Sequence, residues 1–129
     1  MSQKSAIRLR SVDIEALYNL AEWMKERPRE VLILNQLCRR AGMNSDKLKK
    51  GFLQLFGDSP IRWHRKNKMR EARRLLVETE ESISSIAYLL GFEHPSSFCY
   101  CFRKHFGESP LVVRYSRPDN LPSGFYGRI

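Results

Sequence analysis

The chain contains one sequence pattern twice, in residues 32–60 and again in residues 82–110. At an offset of 49 residues Leu37 matches Ile86 and Gly42 matches Gly91, whereas at an offset of 50 the pairs are Leu48/Phe98, Phe52/Phe102, Phe56/Phe106, Gly57/Gly107, Ser59/Ser109 and Pro60/Pro110. Such self-similarity indicates a duplicated structural unit. The change of offset indicates one extra residue in the turn of the second copy.

Each copy has the pattern of two helices joined by a short turn. Apolar residues recur at three- and four-residue steps on both sides of Gly42 and Gly91. Glycine takes positive φ without steric cost and so closes a helix well. Asn44 can cap the helix that follows, and Pro95 fits a first helical position, where its missing N–H does no harm. The pattern predicts two helix-turn-helix units.

Two further helices complete the predicted fold, which is all-α. The first runs from Ser11, as N-cap, to Arg27, and its packing positions are Ile14, Leu17, Tyr18, Ala21 and Met24. A long connecting helix starts at Ser59-Pro60 and ends near Glu78, with Ile61, Met69, Ala72, Leu75 and Leu76 facing the core. The expected organisation is a flexible N-terminus (1–10), a first subdomain with the connecting helix (11–78), a second subdomain (79–115) and a loose tail (116–129).

The net charge of +9 is concentrated in one part of the chain. Between Arg39 and Arg74 lie twelve basic residues and three acidic ones, so this stretch alone carries the whole excess. A field of this kind suits a polyanionic partner such as nucleic acid. A solvated basic surface that only aids solubility explains the charge equally well.

The outer faces of the two second helices hold the candidates for reading bases. In the first unit these are Asp46, Lys49 and Lys50, since lysine can donate to guanine O6 and N7 and a carboxylate can accept from cytosine N4. In the second unit they are Ser96, Ser97 and Tyr100, although a serine at a helix start serves as a cap just as often. The cations expected to contact phosphate are Arg62, Arg65, Lys66, Arg73, Arg103 and Lys104.

Other classes of function receive little support from the sequence. No stretch reaches the roughly 20 apolar residues of a membrane span, and the opening residues lack the apolar core of a signal peptide, so we expect a cytoplasmic protein. Three cysteines cannot form a paired framework and are expected to be free thiols. His94, Cys99, Cys101 and His105 lack zinc-ligand spacing, and no histidine lies in a catalytic motif, so neither a metal, a cofactor nor an enzyme activity is predicted.

The pattern that continues through the second repeat reads Ala72-Arg73-x-Leu75-Leu76, then Ile83-x-x-Ile86-Ala87-x-x-x-Gly91-Phe92-x-x-x-Ser96-x-Phe98, then Phe102-Arg103-Lys104-x-Phe106-Gly107-x-Ser109-Pro110, then Arg114. It resembles the DNA-binding domain of the AraC/XylS family of bacterial transcription regulators over residues 12–115. Where that family often has Tyr before the final Arg, this chain has Val113. Residues 38–52 look like those of the PchR branch of the family.

The resemblance implies about seven helices in two homeodomain-like helix-turn-helix subdomains, with one recognition helix from each in successive major grooves. The resemblance also implies that the family's base-contacting positions correspond to the six residues named above on the outer faces of the two second helices. The implied function is sequence-specific binding of a double-stranded operator by a transcription activator, with RNA polymerase as a second partner and the fragment itself a monomer. A separate sensing domain precedes this domain in most family members, whereas a few members are little more than the DNA-binding part, and the resemblance fits either kind. The alternative from another class is a non-specific nucleic-acid binder or a helical protein-interaction module.

Overall fold

Seven helices account for the regular structure of residues 7–116, the part of the chain that the computed structural model describes. They are α1 (Ser11–Lys25), α2 (Leu34–Ala41), α3 (Ser45–Phe56), α4 (Pro60–Glu78), α5 (Ile83–Leu89), α6 (Pro95–Phe106) and α7 (Pro110–Ser116). No strand occurs within this range, which confirms the all-α prediction. The tail predicted to be loose lies, apart from Ser116, outside the described residues, as do positions 1–6.

The duplicated sequence is a duplicated structure. The first helices of the two units, α2 and α5, start 49 residues apart, whereas the second helices, α3 and α6, start 50 apart. Each unit also ends in a serine followed by a proline that opens the next helix, α4 or α7. The extra residue therefore lies in the second turn, as the change of offset predicts.

Local chemistry sets the helix ends. The Asn44 side chain accepts a 2.8 Å hydrogen bond from the Lys47 backbone N–H, and Pro95 is the first residue of α6. Gly42 and Gly91 take φ values of 70° and 88°, which other residues rarely adopt. The predicted roles of these four residues are confirmed.

The chain forms two compact units that meet between Asn67 and Lys68, inside α4. The first unit has a core of Leu17, Leu20, Ala21, Met24, Leu32, Leu37, Leu48 and Phe52. The core of the second unit is built from Met69, Ala72, Leu75, Leu76, Ile86, Ala87, Leu90, Phe98, Phe102 and Val113. The division falls within the helix, before its predicted end near Glu78, because Trp63 packs in the first core whereas the apolar residues from Met69 onward line the second.

Four details of the sequence prediction are wrong. Ser11 is not the N-cap of α1: Arg10 precedes the helix, and its backbone N–H is taken by the Asp13 carboxylate. The same helix ends at Lys25, two residues early. Ile61 is 36% exposed. Pro60 and Trp63 are the residues that face the core in the first turn of α4, and Ile61 lies about 100° from Pro60 around the helix. Tyr18 is half exposed, with its ring edge against Phe56.

Candidate nucleic-acid interface

Helix α3 packs through one face and leaves the opposite face to solvent. Leu48 and Phe52 are fully buried. Gly51 lies so close to α1 that a Cβ at this position would come within 2.8 Å of Leu17 Cδ1. This close approach fixes α3 tightly against α1 and explains why a glycine stands in the interior of a helix.

The three residues predicted to read bases in the first unit lie together on the outer face of α3. Asp46 and Lys49 are exposed, and the Lys50 side chain is 41% exposed. Lys50 Nζ lies 3.4 Å from Asp46 Oδ2, so these two side chains form an ion pair along the helix. Lys49 has no hydrogen-bond, ion-pair or ring partner among the described residues. The face thus offers one acceptor beside two donors, the groups that a C·G pair displays in complementary form in the major groove.

A buried carboxylate supports this helix from behind. Asp13 Oδ1 lies 3.0 Å from Lys47 Nζ, and Asp13 Oδ2 accepts a 3.0 Å hydrogen bond from the Arg10 backbone N–H. Both contacts favour the ionised carboxylate and hold the pKa of Asp13 below its usual value of 3.8. The hydrogen bond from the Arg10 backbone has the larger effect and the hydrogen bond from Lys47 the next largest. Sequence spacing gave no sign of this contact, since its partners lie on different helices.

Helix α6 begins with a face of hydroxyl groups in the second unit, and its exposed cations Arg103 and Lys104 follow further along the helix. Ser96 and Ser97 are exposed, and His94, the residue before the helix, makes no capping bond with its side chain. The two serines lie inside the first turn, which removes the alternative that they act as N-caps. Tyr100 is 58% exposed, and Lys104 Nζ lies 3.4 Å from its hydroxyl.

The six predicted phosphate contacts fall into three pairs. Arg62 and Lys66 share one acidic partner, Asp58, whose side chain is only 16% exposed. The side chains of Arg65 and Arg103 are exposed and have no partner among the described residues. Arg73 is exposed with its guanidinium 5.8 Å from the Phe106 ring centre, and Lys104 contacts Tyr100 as described above. Arg65 and Arg103 are therefore the cations readiest to meet a phosphate.

Several other cations of the basic stretch between Arg39 and Arg74 stabilise the fold through hydrogen bonds and ion pairs. Lys68 Nζ donates a 2.8 Å hydrogen bond to the Leu90 carbonyl at the end of α5. The Arg74 guanidinium binds the carboxylates of Glu71 and Glu78, which raises the pKa of Arg74 further above its ordinary value. These side chains keep their charge, but fewer cations can move onto a phosphate than the count of basic residues suggests.

Two arginines flank one indole ring in the first unit. The guanidinium carbons of Arg40 and Arg27 lie 4.1 Å and 4.5 Å from the ring centre of Trp23. Cation–π contacts of this kind contribute about 0.5–1 kcal/mol at exposed sites. They hold the exposed Arg40 in a defined place at the end of α2, and helical spacing does not predict them because Trp23 and Arg40 lie on different helices.

The described residues show no other kind of site. The three thiols, Cys38, Cys99 and Cys101, are unbonded and half-buried. Residues 7–116 hold no group of three or more His, Cys, Asp or Glu side chains arranged to bind a metal ion. No helix in that range has the length and apolar character needed to cross a membrane.

Comparison with known proteins gives matches of one kind. The family described as "Helix-turn-helix domain" matches residues 37–116. The chain is 27% identical over 112 residues to the uncharacterized HTH-type transcriptional regulator YisR of Bacillus subtilis, covering 87% of this chain and 39% of YisR. It is 28% identical over 105 residues to the HTH-type transcriptional activator RhaS of Escherichia fergusonii, covering 81% and 38%. The chain thus spans about two fifths of the length of these relatives.

Solved structures agree with the family match. The DNA-binding domain of AdpA, a global transcriptional factor crystallised in complex with a target DNA, superposes with a TM-score of 0.76 at 28% identity, covering 84% of this chain and 97% of that one. An AraC-type transcriptional regulator from Chromobacterium violaceum gives a TM-score of 0.74 at 25% identity, covering 81% and 95%.

Proposed function

Because the chain belongs to the AraC-type helix-turn-helix family of DNA-binding transcription regulators, we propose that α3 and α6 are recognition helices that enter successive major grooves of one operator. The observation that carries the proposal is the same arrangement in both units. A helix that follows a glycine turn buries aromatic or aliphatic side chains on one face and exposes polar side chains on the other.

The two helices are proposed to contribute differently. On α3, Asp46 accepts from cytosine N4, while Lys49 and Lys50 donate to guanine O6 and N7. On α6, the short hydroxyls of Ser96 and Ser97 reach base edges or phosphates only where the helix lies close to them, and the Tyr100 ring can contact a thymine methyl group. Arg65 and Arg103 anchor the backbone, and Arg73 and Lys104 assist them. Arg62 and Lys66 contact phosphate only by exchanging their bonds to Asp58.

The proposal extends to the biology of the whole protein. It assigns the protein to the bacterial cytoplasm, where the chromosome is found, as a monomeric DNA-binding part of an activator that also contacts RNA polymerase. The activator RhaS among the relatives supports the direction of regulation. Assignment to the PchR branch stays a prediction.

Operator affinity against random-sequence affinity tests the proposed function. Selection from a random duplex pool, followed by fluorescence titration, should give a selected sequence bound at least about 10³-fold more tightly than an unrelated one. Six phosphate contacts would make log K fall by about 5 for each tenfold rise in salt concentration. A ratio near one with a steep salt dependence would instead identify a non-specific binder. A slope shallower than about 2 would contradict DNA binding altogether.

A further inference from the structure

Asp13 is the only acidic residue among positions 7–116 that is buried, with 6% of its surface exposed. A buried carboxylate is costly unless it is paired and hydrogen-bonded. Here one oxygen meets Lys47 Nζ at 3.0 Å and the other accepts from the Arg10 backbone at 3.0 Å. The carboxylate therefore joins the start of α1 to the first turn of α3.

Lys47 is held from two sides. Its backbone N–H donates to the Asn44 side chain, and its ammonium group pairs with Asp13. It is the third residue of α3 and lies in sequence between Asp46 and Lys49, which face the solvent. Displacement of Lys47 would therefore displace the residues proposed to read bases.

A second contact between the same helices lies one turn further along. Leu17 follows Asp13 by four residues on α1, and Gly51 follows Lys47 by four residues on α3. One contact between two helices fixes a distance, whereas two contacts about 6 Å apart along each helix also fix the angle between them. The apolar contact of Leu17 with Gly51 and the ionic contact of Asp13 with Lys47 together set the orientation of α3.

We propose that Asp13 is a positioning residue for sequence readout. Without touching DNA, it fixes the orientation of α3 and prevents the Lys47 ammonium group from pairing with a DNA phosphate. This inference rests on the proposed function of α3. Its consequence is that Asp13 raises the preference for the operator over other sequences, although an acidic residue beside DNA would ordinarily only weaken binding.

Asp13→Asn is the test variant, because an amide oxygen can still accept from the Arg10 backbone N–H, while the charge that pairs with Lys47, and at 3.5 Å with the exposed Arg10 guanidinium, is lost. Released, Lys47 becomes a mobile cation at the base of α3. Random-sequence DNA should then bind more tightly, and the salt slope should steepen by about 0.9, the value of one phosphate contact. The ratio of operator to random affinity should fall at least tenfold, with the loss confined to the half-site under α3.

Two matched variants separate orientation from charge. Asp58→Asn makes the same charge change at another acid that holds a lysine, Lys66, outside α3. It should steepen the salt slope and leave base preference under α3 unaltered. Lys47→Met breaks the contact from the other side and removes a cation, so discrimination should fall without a steeper slope. Thermal melts identify a temperature at which every variant is folded, and all titrations are made there.

The outcomes are separable. If folded Asp13→Asn melts earlier but keeps the wild-type base preferences, Asp13 has only a structural role and the inference is overturned. An equal loss of discrimination in Asp58→Asn would attribute the effect to charge and overturn it too. If the wild-type protein itself shows no preference for any duplex, it is the proposed function that fails.

Discussion

Replacement of Arg114 by alanine should destabilise the second unit while leaving its exposed face intact. Arg114 Nε donates to the Leu76 carbonyl at 2.9 Å, and a terminal nitrogen donates to the Thr79 carbonyl at 3.2 Å. Leu76 lies in the last turn of α4 and Thr79 directly follows the helix, at the end where the last carbonyls have no partner within the helix. The arginine of α7 therefore caps α4 and ties the two helices together.

The size of the effect follows from the kind of bond. A hydrogen bond from a charged donor contributes about 1.5–3 kcal/mol net, and an acceptor left unpaired in a partly buried place costs about as much. The two bonds of Arg114 share one ordered side chain, so we expect a total loss of about 2–3 kcal/mol rather than twice the single value. For a unit of this size each kcal/mol lowers Tm by about 4–8 °C, which gives a fall of at least about 8 °C.

Urea and thermal unfolding followed by far-ultraviolet circular dichroism measure this loss. Arg114→Lys retains one donor and should lose about half as much. Arg103→Ala is the matched control in stability, because Arg103 is an exposed arginine of the same unit without a partner, and its removal should stay within about 0.5 kcal/mol. Should Arg114→Ala prove as stable as Arg103→Ala, the capping argument is refuted.

Three further predictions concern binding and pH. Lys49→Ala should lose preference at particular base pairs, whereas Arg65→Ala should lower the affinity for all sequences alike. Titration against a panel of mutated operators measures this difference. An equal loss of affinity across the panel in Lys49→Ala would show that Lys49 does not read bases. Because the pKa of Asp13 is lowered in the folded protein, its contribution to stability is present above the ordinary value of 3.8 and is lost as pH falls through the lowered one. The free energy of unfolding, measured as a function of pH, should therefore fall less steeply below about pH 4 in Asp13→Asn than in the wild type. Identical curves for the two proteins would contradict this. Finally, altering the half-site under α3 should cost more affinity than altering the one under α6. Lys49 and Lys50 are charged donors for base edges, whereas the start of α6 offers neutral hydroxyls and its cations are assigned to phosphate. Equal losses in titrations at one salt concentration would contradict this difference.

The sequence predicts best what depends on neighbours within a few residues. The caps at Asn44 and Pro95 and the turn at Gly42 follow from the conformations that single residues prefer. The buried faces of α3 and α6 follow from helical spacing, because residues three or four apart share a face. Repetition of the pattern strengthened these assignments, since two copies had to obey the same rule.

Contacts between distant residues lay beyond that reasoning. Asp13 and Lys47 are 34 positions apart, and Arg114 and Leu76 are 38 apart, so no periodicity relates them. The same limit applies to the basic residues: a count of charges along the chain includes Asp58 but does not show that it pairs with both Arg62 and Lys66. The residues packed against the first turn of α4 likewise decide which of its side chains are buried. Helical spacing alone therefore predicted a buried Ile61 incorrectly.

The close approach at Gly51 also limits how this domain can be re-engineered. The matching position of the second repeat is Cys101, a larger residue that packs beside the second core. The sequences of α3 and α6, the proposed recognition helices, therefore cannot simply be exchanged. An α6 sequence grafted into the α3 position would drive the cysteine side chain into Leu17, because even its Cβ would come within 2.8 Å. A working chimera would need a smaller residue at position 17. Among natural relatives, bulk at these two positions should rise and fall in opposite directions.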